Sequence, residues 1–230
     1  MNIEPFYYMY VNTLQPYAVR AKIARMHTLD ELVQHFLRFP GIGPRQARRF
    51  AMHLLTEDES TNESLANLIR SLKTTVRPCT ACGRYVSYRT REELCSICVD
   101  TNREQSTLMV VERDTDVTAI ERARTYKGRY FVFGGTVPLL ADEGASKKVR
   151  ASALKQFALD HQAALREIIL AFSANPDGDN TARYVESLLQ EFVEQNPELT
   201  VTHLGRGLST GSELEYADPD TITFALQNRK

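Results

Sequence analysis

The stretch that decides the fold is CTACGRYVSYRTREELCSIC, residues 79–98, because it holds all four cysteines of the 230-residue chain. They form two CxxC pairs, Cys79 with Cys82 and Cys95 with Cys98, with twelve residues between the pairs. Each CxxC turn brings two thiolates to one point, and two such turns complete a tetrahedral sulfur site. We therefore predict one structural zinc ion per chain, since four protein ligands leave no position for a substrate.

Two disulfides and a redox-active CxxC pair are the alternatives to zinc. A reducing cytoplasm argues against disulfides, and redox motifs rarely occur as matched pairs in one short hairpin. Between the pairs lie basic and aromatic residues, namely Arg84, Tyr85, Tyr88, Arg89 and Arg91. Because Glu92 and Glu93 dilute this charge, the hairpin is either a nucleic-acid contact or an exposed turn that only folds.

Charge is distributed unevenly along the chain, although the net charge is only -1. Residues 20–103 carry 14 Lys and Arg against nine Asp and Glu, whereas residues 104–230 carry 14 against 19. This asymmetry indicates an amino-terminal part that can meet an anion. The ordinary content of 43% apolar and 25% charged residues excludes neither an enzyme nor a binding module.

No segment approaches the roughly 18 apolar residues of a membrane span. The first residues also lack the basic region of a secretory signal, so we expect a cytoplasmic protein with no membrane contact. Residues 1–27 fit neither part of the fold, and three interpretations stay open: an added helix, a flexible arm, or a true translation start at Met26.

Three amphipathic helices are predicted before the cysteines. The first begins at the capping-box pair Thr28 and Glu31, the second begins at Pro44, and the third runs from Ser60 to Val76. The turn between the first two reads PGIGP, in which Gly41 and Gly43 permit positive φ and close approach to a partner. Three basic residues follow this turn: Arg45, Arg48 and Arg49.

This turn has the helix-hairpin-helix pattern. Proline suits the first turn of a helix, and the free amides of that turn form an anion site. We therefore predict that Gly41, Gly43 and the three arginines bind DNA phosphates without reading the sequence. The alternative is a tight turn that packs or dimerises without touching DNA.

Strands and helices alternate after the cysteines. STLMVVE, RYFVFGG, EIILAF and LTVTHL are predicted strands, and helices are predicted at 116–124, 146–161 and 181–194. Such alternation is typical of parallel βαβ units in an α/β domain. Residues 99–106 are the predicted joint between the two halves.

Acidic residues follow two of these strands. Glu112 ends one, and Asp177 and Asp179 flank Gly178 after another, so all three carboxylates belong to the carboxyl edge of a parallel sheet. This is the arrangement of the Toprim domain, in which such carboxylates hold magnesium for phosphodiester chemistry. A magnesium-dependent nuclease and a merely solvated acidic loop both stay open.

The order of hairpin, four-cysteine finger and Toprim-like half resembles that of the bacterial RecR family of recombination mediators. Shorter stretches agree, namely LCSIC, VVERDTDVTAIER, GRYFVFGG and RGLSTGSELEYAD. The resemblance covers residues 29–227. It implies a non-enzymatic, nucleoid-associated protein that acts with RecO, and in some systems RecF, to promote RecA loading on gapped or single-stranded DNA.

The resemblance also implies roles for particular residues. Arg45 and Arg49 match positions where the hairpin of the family faces DNA, while Arg48 is added from its charge alone. The acidic positions Glu112, Asp177 and Asp179 are linked in this family to partner contact more than to catalysis. Family members assemble through their amino- and carboxy-terminal regions into homodimers and a homotetrameric ring that can encircle DNA, and the DNA partner can be single-stranded, double-stranded or gapped.

The predicted fold is therefore multidomain, of mixed α+β and α/β class. The predicted parts are an amino-terminal extension, a helical helix-hairpin-helix domain, a four-cysteine zinc finger, a Toprim domain with a mostly parallel sheet, and a carboxy-terminal oligomerisation segment. Their predicted limits are 1–27, 28–78, 79–98, 99–205 and 206–230.

Overall fold

The computed structural model describes residues 28–87, 93–139, 149–211 and 213–229. Contacts divide the chain into two compact units, residues 1–72 and 73–230, which are described separately. The interpretations of residues 1–27, the contact role of Tyr88, Arg89 and Arg91, and the first residues of the helix predicted at 146–161 lie outside the described residues.

The first unit contains the three predicted helices. They are α1 (Thr28–Phe36), α2 (Pro44–Thr56) and α3 (Glu59–Thr75), of which the last extends into the second unit. Ala47 and Ala51 on α2 are buried, and the Phe36 ring of α1 meets the Phe50 ring edge-on with centroids 5.7 Å apart. The small residues let the helices approach while the aromatic pair fills the contact.

The ends of α3 differ from the prediction. The helix begins at Glu59, because Asp58 caps it by accepting the backbone amide of Thr61 at 2.9 Å. Val76 does not belong to this helix. It begins strand β1 instead.

The second unit consists of a two-stranded hairpin and a four-stranded sheet with helices. The hairpin strands are β1 (Val76–Pro78) and β2 (Tyr85–Ser87), followed by a short helix α4 (Ser96–Val99). The sheet strands are β3 (Thr107–Val111), β4 (Arg129–Val132), β5 (Glu167–Ala171) and β6 (Thr200–His203). The helices of this part are α5 (Asp114–Ala123), α6 (Ala151–His161), α7 (Pro176–Gln195) and α8 (Pro219–Gln227).

All four strands of the larger sheet were predicted, and all are parallel, in the order β4-β3-β5-β6. Strand β3 therefore has the next strand in the chain, β4, on one side and β5 on the other. The connection after β3 leads to β4 on one side, whereas the connection after β5 leads to β6 on the other. Such a switch point opens a crevice beyond the carboxyl ends of β3 and β5.

The two faces of the sheet carry separate cores. Leu108 and Val110 of β3 point to one face and join residues of α6 and α7, including Leu154 and Val185. Met109 and Val111 point to the other face, where Val117 of α5 joins buried cysteines of the finger. The alternating side chains of a buried parallel strand explain why β3 is apolar throughout.

The start of α7 corrects the prediction for the acidic segment. The helix begins at Pro176 and not at Thr181, because the Asn175 side chain accepts the Gly178 amide at 2.8 Å and Pro176 occupies the first turn. Asp177 and Asp179 therefore lie in the first turn of a helix and not in a loop. The prediction that this segment is a loop is wrong, whereas the functional alternative of merely solvated carboxylates stays open.

Candidate nucleic-acid interface and metal centre

The hairpin between α1 and α2 is a tight turn that requires one of its two glycines. Gly41 has φ of +76°, a left-handed conformation that favours glycine. Gly43 caps α2 with an ordinary φ of -87°, and a Cβ built at Gly43 would meet no atom within 4 Å. Packing within the chain therefore does not require glycine at position 43. Close approach of a partner to the backbone at this position would require it.

The amino terminus of α2 offers unpaired donors. The first backbone bond of the helix is from the Ala47 amide to the Gly43 carbonyl at 2.9 Å, and Pro44 has no amide hydrogen. The amides of Arg45 and Gln46 have no acceptor in the described part of the chain. The first turn contains no acidic residue, so the positive end of the helix dipole stays uncompensated.

One face of α2 extends this positive end into a basic surface. Arg45, Arg49 and His53 follow each other at intervals of four residues, and Arg48 lies beside Arg49. The three arginines are exposed, and in the described ranges none is within ion-pair distance of a carboxylate. They line a shared open groove with Met52 and His53.

The four cysteines form one cluster. Their sulfur atoms all lie within 4.8 Å of one another, and Cys79, Cys82 and Cys95 are buried. Zinc held by four thiolates at about 2.3 Å sets neighbouring sulfurs about 3.8 Å apart. The Cys82 and Cys95 sulfurs are 3.6 Å apart, so the donor set and its size fit a metal ion bound by four sulfurs.

Backbone amides of the finger donate to the cysteine sulfurs. The Cys98 amide donates to the Cys95 sulfur at 3.4 Å. The backbone amide of Cys95 also donates to the Cys79 sulfur at 3.3 Å. Both interactions stabilise negative charge on sulfur, which is the form that binds a metal.

The finger packs on the four-stranded sheet and is not a separate domain. The Val132 amide at the edge of β4 donates to the Cys82 carbonyl at 2.7 Å, and the Arg150 guanidinium donates to the Val132 carbonyl at 2.9 Å. Arg84 of the finger forms an ion pair with Asp114 at 3.0 Å. The finger thus covers an edge of the sheet that would otherwise expose unpaired backbone groups.

Glu112 lies at the carboxyl end of β3 and is only 4% exposed. One carboxylate oxygen accepts from the Ser173 hydroxyl at 2.6 Å, and the other pairs with the Arg113 guanidinium at 2.7 Å. Ser173 follows β5, so this bond bridges the crevice between the two strands. A buried carboxylate needs such partners, because an unpaired charge in the interior is costly.

The two aspartates of the acidic segment have different partners. Asp177 accepts the Leu139 amide at 3.1 Å. Asp179 receives a two-pronged contact from the Arg206 guanidinium, which lowers the pKa of that carboxyl. Gly178 lies between them because a Cβ there would come within 1.9 Å of the Ser173 carbonyl oxygen.

The structure thus places the predicted acidic residues at one edge of the sheet, but not as one ligand group. Among the described residues, the cysteines form the single set of three or more metal-binding side chains with all ligand atoms within 4.8 Å. Sequence reasoning missed the partners Ser173, Asn175 and Arg206. An Asn-Pro pair before an acidic segment is a helix-start signal that could have revealed Asn175, whereas Ser173 and Arg206 are set by long-range folding.

Within the described residues, no helix is long and apolar enough to cross a membrane. The fold and sites define a protein class in which a helix-hairpin-helix unit precedes a four-cysteine finger attached to a Toprim-like sheet. Family models match in that order: "RecR, helix-hairpin-helix" at residues 29–73, "Toprim domain" at 106–204 and "RecR, C-terminal" at 207–230.

Curated relatives agree over most of their length. The Recombination protein RecR of Paenarthrobacter aurescens is 36% identical over 202 residues, which are 88% of this chain and 96% of the relative. The Recombination protein RecR of Treponema denticola is 34% identical over 204 residues, with 89% and 98% covered, and that of Streptomyces coelicolor is 35% identical over 202 residues, with 88% and 96% covered. The chain therefore belongs to the RecR family, as its sequence motifs predicted.

Proposed function

We propose that this protein is a mediator of recombinational DNA repair that binds DNA without reading its sequence. The RecR name of its relatives supports a role in recombination. In the proposed role it has no catalytic residue, acts with RecO and in some systems RecF, and promotes RecA loading on gapped or single-stranded DNA. In this role the protein would be associated with the nucleoid.

One observation carries the DNA-binding proposal: the uncompensated amino terminus of α2 with its exposed arginines. Free amides and guanidinium groups recognise phosphate oxygens, which are the same at every base pair. Arg45 and Arg49 share one face of α2, and the free amides lie at the amino terminus of the same helix, so a sugar-phosphate backbone could approach amides and side chains together. Arg48 would extend the contact at the side of that face.

Removing two of these charges tests the proposal. We expect Arg45→Ala with Arg49→Ala to weaken binding of a fluorescent gapped DNA by at least about tenfold, since each loses a charge-assisted phosphate contact. The measurement is fluorescence anisotropy at low ionic strength. A variant that loses two exposed arginines elsewhere, Arg70→Ala with Arg122→Ala, should bind within about twofold of the parent. Equal losses in both variants would contradict a specific role for α2.

We propose zinc as the metal of the cysteine cluster, with a structural role. Four sulfur ligands in tetrahedral spacing are typical of structural zinc and leave no open coordination position. The packing of the finger against β4 supports the same role. All four cysteines, Cys79, Cys82, Cys95 and Cys98, would be ligands.

We propose that the acidic edge, defined as Glu112, Asp177 and Asp179, binds a protein partner and not a catalytic magnesium. Each of these carboxylates already has its own protein donor, which supports recognition by a partner over joint coordination of an ion. If the edge were instead a nuclease site, Mg²⁺ would support cleavage of gapped DNA and Asp177→Asn would abolish it.

We propose that copies of this chain associate through α3, as the family resemblance implies for the amino-terminal region. Leu65, Leu68, Ile69 and Leu72 share one face of this helix and are 41–65% exposed. A row of exposed apolar side chains is typical of an interface. A homodimer or a homotetrameric ring would place several α2 surfaces around one DNA, which increases retention without new contacts.

Light scattering tests this association. Leu68→Lys should lower the solution mass toward that of one chain, because a charge would be buried in the contact. Asn67→Lys adds the same charge on the opposite face of α3 and should leave the mass unchanged. A parent protein of single-chain mass at micromolar concentration would contradict the proposal.

The domain limits of 28–78, 79–98, 99–205 and 206–230 also remain proposals. The family models support the positions of the helical, Toprim and carboxy-terminal parts. Limited proteolysis with mass spectrometry would test them, because linkers are cut before folded parts.

A further inference from the structure

Arg206 joins two elements of the second unit that are distant in sequence. Its guanidinium meets both carboxylate oxygens of Asp179: Nη2 bonds Oδ1, and Nη1 lies 3.4 Å from Oδ2. Asp179 belongs to the first turn of α7, at the acidic edge. A planar guanidinium that faces a carboxylate in this way fixes orientation as well as charge.

The same residue contacts the carboxy-terminal helix. The Arg206 guanidinium carbon lies 5.3 Å from the ring centroid of Phe224 in α8, within cation–π distance. The Arg206 carbonyl accepts from the Asn228 side-chain amide at 2.8 Å, just beyond the end of α8. Arg206 is therefore in contact with α7 and α8 at once.

Helix α8 depends on such polar attachments more than the other helices around the sheet do. It contains no buried residue, whereas α6 and α7 bury three and six residues respectively. Leu226 on α8 is 57% exposed. Ile222, Phe224 and Ala225 of α8 are only half-buried. A helix with such partial apolar contacts opens at lower cost than a fully packed one, so the loss of one polar contact is a large part of that cost.

We propose that Arg206 acts as a latch: it holds α8 at the acidic edge by pairing with Asp179. A basic group of a partner protein that binds Asp179 must then first displace Arg206 from this carboxylate. Partner binding at the acidic edge would thereby release the carboxy-terminal segment. This second step rests on the proposed partner-binding role of the edge, whereas the latch itself does not. Arg206 acts here as a positioning residue.

Hydrogen exchange of the full chain, read by mass spectrometry, tests the latch. Arg206→Gln should raise amide exchange in α8 about fivefold and leave α5 unchanged, because an ion pair and a cation–π contact are lost. Asp179→Asn should do the same, and the double variant should add little to either single variant. Arg183→Gln removes a neighbouring charge of α7 and should have no effect on α8. Unchanged exchange in Arg206→Gln, or an equal rise in Arg183→Gln, would overturn the latch.

Binding of a nona-arginine peptide, used as a probe for a basic partner, tests the displacement. Arg206→Gln should bind the probe about fivefold more tightly because the internal competitor is gone. Asp179→Asn should bind it more weakly, because the acceptor is gone. A merely structural role would shift both variants in the same direction. If both variants change their affinity for the probe in the same direction, or if neither changes, the displacement proposal is overturned. The latch itself is then decided by the hydrogen-exchange experiment alone.

Discussion

Single residues set the geometry of the acidic edge, and Gly178 is the clearest case. The first turn of α7 passes so close to Ser173 that any side chain at position 178 would meet a backbone oxygen. Backbone atoms cannot move aside as the end of a flexible side chain can. The glycine between Asp177 and Asp179 is therefore explained by packing within this chain.

Replacement of this glycine is expected to destabilise the second unit. Gly178→Ala should lower the free energy of unfolding by about 1–3 kcal/mol, the usual cost of overpacking. Urea unfolding of the parent and the variant measures it. Gly205→Ala is the control, because a Cβ there meets no atom within 4 Å. Equal stability of parent and Gly178→Ala would contradict the close approach.

The residue pair Arg103 and Glu121 gives a pH-dependent prediction. Arg103 donates to Glu121 through both terminal nitrogens, one at 2.9 Å, and this contact lowers the pKa of Glu121 below its ordinary 4.5. A carboxyl with a lowered pKa contributes stability above pH 4.5 and loses it as the pH falls through the folded-state value. The contribution should therefore be present at neutral pH and absent in strong acid.

We expect Glu121→Gln to lower the free energy of unfolding by about 1 kcal/mol at pH 7, since a charge-assisted contact of a partly buried pair is lost. The difference from the parent should shrink in acid below pH 4.5. Glu191→Gln breaks the more exposed pair with Lys155 and should have a much smaller effect at either pH. A difference that does not change with pH would contradict the assignment.

At the scale of elements, the finger is part of the core of the larger unit. Cys79, Cys82 and Cys95 pack with Met109 and Tyr130 on one face of the sheet. Metal removal should therefore disturb more than the hairpin. Because metal binding free energy is also folding free energy, a metal bound by the four cysteines would stabilise the sheet through this contact.

We expect metal analysis to find one zinc ion per chain. Treatment with a strong chelator should lower the thermal midpoint of the α/β unit by several degrees or more, and added zinc should restore it. Cys95→Ser should lose the metal and show the same lower midpoint without chelator. A chelator-insensitive midpoint, or a chain without zinc when purified without chelator, would contradict a structural zinc site.

The sequence predicted elements well where the pattern is local. The strands around Val110, Phe131, Ile168 and Val201 were all predicted because apolar runs between turn residues are a short-range signal. The start of α7 was predicted five residues too late, since Gly178 reads as a loop residue. Glycine occurs at position 178 because the backbone of Ser173 comes too close for a side chain, a contact that no local sequence pattern shows.

The sites were predictable to different degrees. The cysteine spacing alone indicated the cluster that the structure contains. The attachment of the finger to β4 through the Cys82 carbonyl and the Val132 amide was not predictable, because it joins segments far apart in the chain. The same holds for the contact of Arg206 with Asp179, which brings the carboxy-terminal segment to the acidic edge.

At the scale of the whole molecule, the proposed DNA-binding surface and the metal and acidic sites lie in different units. The unit of residues 1–72 carries the basic face of α2, and the unit of residues 73–230 carries the cysteine cluster and the acidic edge. The net charges of the two units differ little, since residues 1–72 carry eight Lys and Arg against seven Asp and Glu, and residues 73–230 carry 20 against 22. Electrostatic attraction to DNA should therefore come from the local cluster of arginines on α2 and not from the net charge of a unit.

The salt dependence of DNA binding tests the central claim most directly. We expect the parent protein to bind gapped DNAs of unrelated sequence equally well, and the logarithm of its affinity to fall steeply and linearly with the logarithm of the salt concentration. For the variant with Arg45→Ala and Arg49→Ala, the plot of log affinity against log salt concentration should be less steep, by an amount that corresponds to about two lost phosphate contacts. Absence of binding to any DNA at low salt, or an affinity that depends on sequence and not on salt, would contradict the account.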